Sequence, residues 1–388
     1  MISTPNPEIA LTTQWVHDIM VEFTYQFQGF CQYRCEVRSR SDEEIKTLST
    51  LNHVWALPTV MGILSKLSSM LSLGAKKETT LEQFSYFAAI EKIRLECLLG
   101  DYGAALETAA LIKFGDRSEL FYELPSCHVN LYYHTGVCQL MLRKYGDAID
   151  TFVDVTLHIA RTLKLGNKEG KKDGGDLLML MKKMLDKMLA LTSICISLAP
   201  GNVRLDEQVR ELMDSKYPEK MRRMKLGESQ AFIDLFESSC PRFISSSIPD
   251  YTAPPTNLVY EAFKNQVACF SREVQQHVGG IKLRSYLKLY ASIDLAKLAA
   301  FSDVSEEELI GQVLSFKLKL SHEQKNATSS GTERPADVNY YVKNSSLFID
   351  TVSAQQEKKS EAERFFFSGV RKNKTLLQIV DKSLDSIF

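Results

Sequence analysis

The sequence predicts an all-α protein with a small β-ribbon: a helical repeat arm, then three helices and the ribbon, then a C-terminal helix. Three observations carry this. Over the first two-thirds of the 388 residues, apolar side chains recur at helical spacing and no run alternates convincingly at period two. Two segments offset by 43 residues share one helical-hairpin plan. Late in the chain, VNYYVK (338–343) and SLFID (346–350) alternate at period two, as paired strands do.

The first element is an amphipathic helix from Gln14 onward, with Val16, Ile19, Met20, Phe23, Phe27 and Phe30 on an aromatic-rich face. After the polar break SRSDEE, helical segments continue to about residue 245. Among them, LECLLGDYGAALETAAL (95–111) and LMLRKYGDAIDTFVDV (140–155) each end a helix, turn tightly and open the next with Tyr-x-x-Ala-Leu/Ile. Tyr102, Ala105 and Leu106 correspond to Tyr145, Ala148 and Ile149. A small Ala lets paired helices approach closely while the aromatic plugs the gap between pairs, which is tetratricopeptide-like logic with a longer period. LGNKEGKKDGGD (165–176) is expected to be an exposed loop, and SSSIPDYTAPPTN (245–257), with three prolines, a domain joint. Between them, 181–199 and 205–217 form another helical pair split by Pro200-Gly201.

Beyond the joint, a helix from about Leu258 is expected to end at Gly279-Gly280. KLRSYLKLYASI, DLAKLAAFSD and VSEEELIGQVLSFKLKL follow, the last opened by Ser305 and Glu308 as an S-x-x-E capping box. After the polar stretch 322–336 comes the ribbon, turning at Asn344-Ser345. Three helices and a two-strand ribbon are the plan of a winged helix. The expected division is 1–151 for the N-terminal arm, 152–257 for a second helical part, 258–352 for the winged helix and 353–388 for the last helix.

Bulk properties exclude several classes. Hydrophobic residues make up 44% and charged residues 24%, an ordinary globular composition, and the formal net charge is -1. No global field draws the chain to nucleic acid or to an acidic membrane. The start, MISTPNPEIA, lacks the basic and apolar regions of a secretory signal. The longest uncharged stretch, Met188 to Val203, falls short of the roughly 20 residues of a membrane-spanning helix. Eight cysteines scattered in apolar helical context suit reduced, buried thiols. A soluble protein of the cytoplasm is expected.

No glycine-rich phosphate loop, H-E-x-x-H or G-x-S-x-G elbow is present, so no catalytic residue and no cofactor are assigned. Cys127, His134 and Cys138 fall on one face of a helix, but a tetrahedral zinc site needs a fourth ligand and His128 points elsewhere. Cys31 and Cys35, one turn apart, lack a second pair. Core packing accounts for both sets, and no metal is expected. Lys216, Lys220, Arg222, Arg223 and Lys225 form a basic cluster, and Lys168, Lys171 and Lys172 another. Both are candidates for RNA contact through phosphates, yet aromatic residues for base stacking are not interleaved, which favours a solvated face.

Several long strings resemble the PCI family of the proteasome lid, the signalosome and translation initiation factor 3, and most specifically its initiation-factor branch. They are HDIMVEFTYQFQGFCQYRC (17–35), LLGDYGAALE (98–107), LMLRKYGDAIDTF (140–152), KYPEKMRRMKLG (216–227), SCPRF (239–243) and LRSYLKLYASIDLAKLAAF (283–301). The likeness covers most of 14–352; family members usually carry a long additional N-terminal region. The resemblance implies a non-catalytic scaffold subunit that meets other subunits of initiation factor 3 through its winged helix and C-terminal helix and, as part of the complex, the small ribosomal subunit. A lid or signalosome subunit is the alternative within the fold, and a winged-helix DNA-binding factor the alternative outside it. Glu306, Glu307 and Glu308 at the start of the recognition-helix position would repel phosphates, so DNA binding is not expected.

Two partner-binding surfaces are expected. On the ribbon, Tyr341 and Lys343 should project opposite to Val338, Tyr340 and Val342. In the last helix, Phe366, Val370, Asn373, Leu377, Val380, Leu384 and Ile387 follow steps of four and three, a heptad seam with one polar member, suited to a bundle with other subunits.

Overall fold

A computed structural model describes residues 11–51, 53–71, 79–169, 175–199, 205–251, 258–329, 339–349 and 373. Two compact units emerge, the first reaching Gln275 and the second beginning at Gln276.

The first unit is built from helices α1 (Thr13–Cys35), α2 (Asp42–Thr50), α3 (Leu57–Ser68), α4 (Thr80–Leu99), α5 (Tyr102–Ala109), α6 (Pro125–Met141), α7 (Tyr145–Glu169), α8 (Gly175–Leu198), α9 (Glu207–Lys216), α10 (Pro218–Lys225) and α11 (Ser229–Ser239), with the start of α12 (Leu258–Leu289). Each α-helix start that the sequence marks is capped as its chemistry requires. Ser41 with Glu44 and Thr79 with Glu82 make reciprocal capping boxes, and Pro58, Pro125 and Pro218 stand in first turns, where no amide partner is lost. On α1, Val16, Met20 and Phe27 are buried as the spacing predicts, Phe23 and Phe30 are half-buried, and Ile19 is 47% exposed. Helix α4 is the hub, packing against α1, α3, α5 and α6, so side chains almost all round it are buried.

The repeat is visible as backbone geometry. In the first hairpin the amide of Asp101 donates to Glu96 O (2.9 Å) and that of Gly100 to Cys97 O (3.2 Å). In the second, Lys144 donates to Gln139 O (2.9 Å) and Arg143 to Leu140 O (3.0 Å). Both turns are Schellman motifs whose left-handed residue is Gly100 (φ 85°) or Arg143 (φ 63°). Ala105 and Ala148 are fully buried, consistent with close helix approach. The loop expected at 165–176 is shorter than that. Helix α7 runs to Glu169 and α8 begins at Gly175, because Leu, Lys and Glu are good helix formers and a single Gly166 is tolerated. Lys168 therefore sits in the last turn of α7, and Lys171 and Lys172 lie outside the described residues.

The second unit contains the rest of α12, strand β1 (Ser292–Asp294), α13 (Leu295–Ser302), α14 (Glu306–Ser329) and strands β2 (Tyr340–Lys343) and β3 (Ser346–Ile349). The sheet is antiparallel with order β1-β3-β2, so the expected two-strand ribbon carries a third strand. Three residues are too few to show a period. Ile293 pairs with Leu347, and these two buried side chains close the sheet over Leu298, Leu309, Val313 and Phe316.

Helix α12 does not end at Gly279-Gly280 but continues to Leu289. A Cβ at Gly279 would stand 2.9 Å from the Gln312 side chain and one at Gly280 3.2 Å from the Phe316 ring. The glycines allow α14 to lie against α12; they are contact residues, not a stop. Helix α14 also extends through part of the polar stretch, to Ser329. Of its capping box, the Glu308 amide donating to Ser305 Oγ (3.3 Å) is present.

The hairpin turn puts Asn344 (φ 50°) and Ser345 (φ 56°) in the left-handed region, as a two-residue type I′ turn requires. Asn tolerates this and Ser does so at a cost. Ser345→Gly is therefore expected to stabilise the second unit by about 0.5–1 kcal/mol, read as a higher urea midpoint. An unchanged or lower midpoint would mean that the turn is not strained.

Candidate functional site

Helix α14 has two faces. Leu309, Val313, Phe316 and Leu320 are buried in the core of the unit. Ile310, Leu314 and Leu318, at successive steps of four, form a second stripe pointing outward, and Leu314 and Leu318 are 58% and 70% exposed. Scattered exposed apolar residues need no explanation, but three on one helical face do. The i, i+4, i+8 spacing of this stripe is legible in EEELIGQVLSFKLKL, but which of the helix's two apolar faces is left outward is not.

The stripe borders the sheet. Lys317, one residue before Leu318, extends from α14 to β2, where its ammonium donates to Tyr340 O (2.8 Å) and Asn339 Oδ1 (2.5 Å). Strand β2 is an edge. Counting the antiparallel ladder from the closing pair Lys343–Ser346, the backbone amide and carbonyl of Val342 point away from β3 and are free to pair with another strand. Tyr340 is buried and its hydroxyl donates to Val313 O (2.7 Å). Tyr341 is 56% exposed and stacks on Phe348 across the strands (5.5 Å between centroids, 15° between planes). Lys343 is exposed. Val342, expected to share the inward face with Tyr340, is 49% exposed because β2 is the edge and none of the described residues covers its far end. The outward stripe of α14, the open edge of β2 and the Tyr341–Phe348 pair on the sheet face away from α14 are each surface left uncovered by the described residues of this small domain, which suits protein contact.

Glu306, Glu307 and Glu308 occupy the first turn of α14 and are exposed, favourable for a helix N-terminus and unfavourable beside phosphate. The basic cluster is largely neutralised. Lys216 pairs with Asp186, Arg222 with Glu219 (2.7 Å) and Arg223 with Glu228 (2.6 Å). Glu219 holds the Arg222 pKa above its usual value, and Glu228 does the same for Arg223. Lys220 and Lys225 are left without an acidic partner among the described residues, too few to track a phosphate backbone.

Seven of the eight thiols are buried packing groups, as are His128 and His134, whereas Cys269, expected to be buried with the rest, is exposed on α12. His134 Nδ1 lies 2.8 Å from Asn130 O, and burial lowers its pKa to about 3. Cys138 contacts Cys97, whose thiol is pushed well above its usual range first by that contact and then by burial. Burial likewise raises Cys127. His128 stacks among Tyr122, Tyr132 and His158. Cys31 is fully buried and Cys35 contacts Ser245 O at 3.6 Å. Among the described residues no three His, Cys, Asp or Glu side chains converge on a metal-sized space, and no described helix is long and apolar enough to cross a membrane. Of the heptad seam, only Asn373 is described, helical and exposed; Phe366, Val370, Leu377, Val380, Leu384 and Ile387 lie outside the described residues.

Residues 1–372 match the family described as RNA polymerase I-associated factor PAF67. The chain is similar to proteins named eukaryotic translation initiation factor 3 subunit L: 32% identical over 375 residues to that of Danio rerio, covering 90% of this chain and 63% of the relative. The Homo sapiens protein is 32% identical over 375 residues, with 90% and 64% covered. The Xenopus tropicalis protein is 31% identical over 371 residues, with 90% and 65% covered. The chain spans slightly less than two-thirds of the length of these relatives.

Proposed function

The chain belongs to the PAF67 family, whose members similar to it carry the name translation initiation factor 3 subunit L, and from that premise we propose that it is a non-catalytic scaffold subunit of initiation factor 3. It works in the cytoplasm, supports assembly of the complex and, within it, binding to the small ribosomal subunit. The arm (1–151), the PCI domain (152–352) and the C-terminal segment (353–388) divide the work: the first two present surface, and the heptad positions from Phe366 to Ile387 enter a bundle with other subunits.

The observation that supports this most directly is the outward stripe of α14 beside the open edge of β2. Apolar area of this kind gains free energy when covered, at about 25 cal/mol per Å2 removed from water. A neighbouring subunit that adds a strand at Val342 and covers Leu314 and Leu318 would satisfy both features. Nucleic acid would satisfy neither. Tyr341, exposed and held by Phe348 on the outer face of the sheet, is the aromatic anchor of a further contact, with Lys343 beside it.

The test is affinity purification of the tagged chain with identification of the co-eluting subunits. Leu314→Asp/Leu318→Asp and Tyr341→Ala should each lower co-eluting initiation-factor subunits at least tenfold. Their melting should barely change, since exposed substitutions seldom shift stability by more than about 0.5 kcal/mol. Deleting 366–388 should have the same effect on assembly. Recovery of the full set of subunits at wild-type yield from all three variants would sink the proposal, and co-elution of lid or signalosome subunits would redirect it.

A further inference from the structure

In the first unit, helices α1, α4, α6 and α8 and the segment after α11 surround a cleft of about 340 Å3. That is near the lower end of the range for ligand clefts, about 300–1,000 Å3, room for two or three side chains of a short segment. Its polar wall carries Arg94, Lys187 and Arg242. Arg94 is compensated and fixed in place: it donates to Glu91 (3.0 Å) and to Gln28 (3.1 Å). Lys187 and Arg242 differ. Among the described residues neither meets a carboxylate; Lys187 sits over the Tyr133 ring (5.7 Å) and Arg242 over Phe263 (5.2 Å). Burial lowers the Lys187 pKa, and the neighbouring Arg242 charge pushes the same way. Lys187, half-buried, and Arg242, exposed at the rim, are two like charges with no carboxylate partner among the described residues, an arrangement that a negative group entering the cleft would relieve.

The rest of the lining is mixed: Gln28, Ser126, Asn130 and His134 are polar, while Leu98, Val129, Met181 and Met184 supply an apolar part, and methionines adapt to differently shaped side chains. A nucleotide suits the cleft poorly because both tyrosine rings on its wall already carry a cation: Arg94 lies 3.9 Å from the Tyr25 centroid, and Lys187 covers Tyr133. Stacking of a base would have to displace them. Charge and apolar lining together point to a peptide.

We propose that this cleft between α1, α4, α6 and α8 is a second docking site, which takes a short segment of a partner protein carrying an acidic side chain beside a bulky apolar one. The carboxylate pairs with Lys187 and Arg242, and the apolar side chain enters the methionine-lined floor. This site lies in the first unit, between the arm and the second helical part, and shares no residue with the winged-helix surface.

Fluorescence anisotropy on the purified full chain tests it, with a fluorescein-labelled peptide of alternating glutamate and phenylalanine as probe. The comparisons are the same peptide with glutamine for glutamate and a labelled ten-nucleotide polyuridine. The acidic peptide should bind at least tenfold tighter than either. Lys187→Met/Arg242→Ala should lose at least tenfold of that binding with an unchanged melting temperature, and Lys187→Arg/Arg242→Lys should retain it. Equal binding of the glutamine peptide, binding indifferent to the charge-removing variant, or polyuridine binding more tightly and being lost in that variant would each overturn the proposal.

Discussion

Replacing Glu91 with alanine is expected to destabilise the first unit by about 3 kcal/mol, the lower end of the range for breaking one partner of a buried ion pair. Glu91 is 2% exposed in the middle of α4, the helix against which α1, α3 and α6 pack. Its carboxylate accepts from the Thr24 hydroxyl on α1 and from Arg94 Nη1 (3.0 Å), while Arg94 also donates to Thr24 (3.2 Å) and Gln28 (3.1 Å). A closed network of four polar groups thus pins α1 to α4. With alanine at 91, the Arg94 guanidinium keeps its charge at 7% residue exposure and loses its counter-ion. Arg94 borders the cleft, so water reaches part of it, and this places the cost at the low end. The double variant Glu91→Leu/Arg94→Met should lose less than the single one, because a buried pair replaced as a whole by apolar groups is often nearly neutral. Urea denaturation followed by circular dichroism measures both. A single variant within 1 kcal/mol of wild type would show that the network contributes little to holding α1.

Much of this architecture was legible because it rests on local, periodic signals. The arm's helices follow from apolar spacing, the repeat from Tyr-x-x-Ala, and the ribbon from alternation around Asn344-Ser345. What escaped reading depends on partners distant in sequence. Gly279-Gly280 reads as a stop in isolation, and only the presence of Gln312 and Phe316 shows it to be a contact surface. Strand β1 has three residues and exists because β3 supplies its hydrogen bonds. The Glu91–Arg94 pair has the i, i+3 spacing of any solvated helix surface; burial by α1 and α6 is what makes it structural. The candidate surface divides the same way. Tyr341 and Lys343 were readable from strand alternation, but the stripe of Leu314 and Leu318 required knowing that the other face of α14 was already filled by Leu309, Val313 and Phe316. The cleft between four helices left no mark in the sequence, since its cations come from α4, α8 and the segment after α11 and none is near another along the chain.

The second large effect is expected at Gly136, where α6 meets α7 in the second repeat hairpin. A Cβ built there would lie 2.4, 2.7 and 2.9 Å from three atoms of the Phe152 ring, about 1 Å inside ordinary carbon contact. Phe152 is itself fully buried, so the ring has no solvent to move into and the helices must separate instead. Overpacking of this kind costs about 1–3 kcal/mol. For Gly136→Ala it is offset by about 1 kcal/mol of helix propensity, leaving about 0–2 kcal/mol net, and the 2.4 Å approach to a fully buried ring places it toward the upper end. Gly136→Val adds two further methyl groups and a β-branched side chain with little of that compensation, so about 3 kcal/mol is expected. Phe152→Leu alone should cost about 1 kcal/mol for the lost packing. Combined with Gly136→Ala it should be no less stable than Phe152→Leu alone, because the smaller side chain vacates the space that the new methyl needs. That non-additivity separates a steric cause from a loss of backbone freedom, which would not depend on residue 152. If the two substitutions add within about 0.5 kcal/mol, contact between Gly136 and Phe152 is not what closes the hairpin.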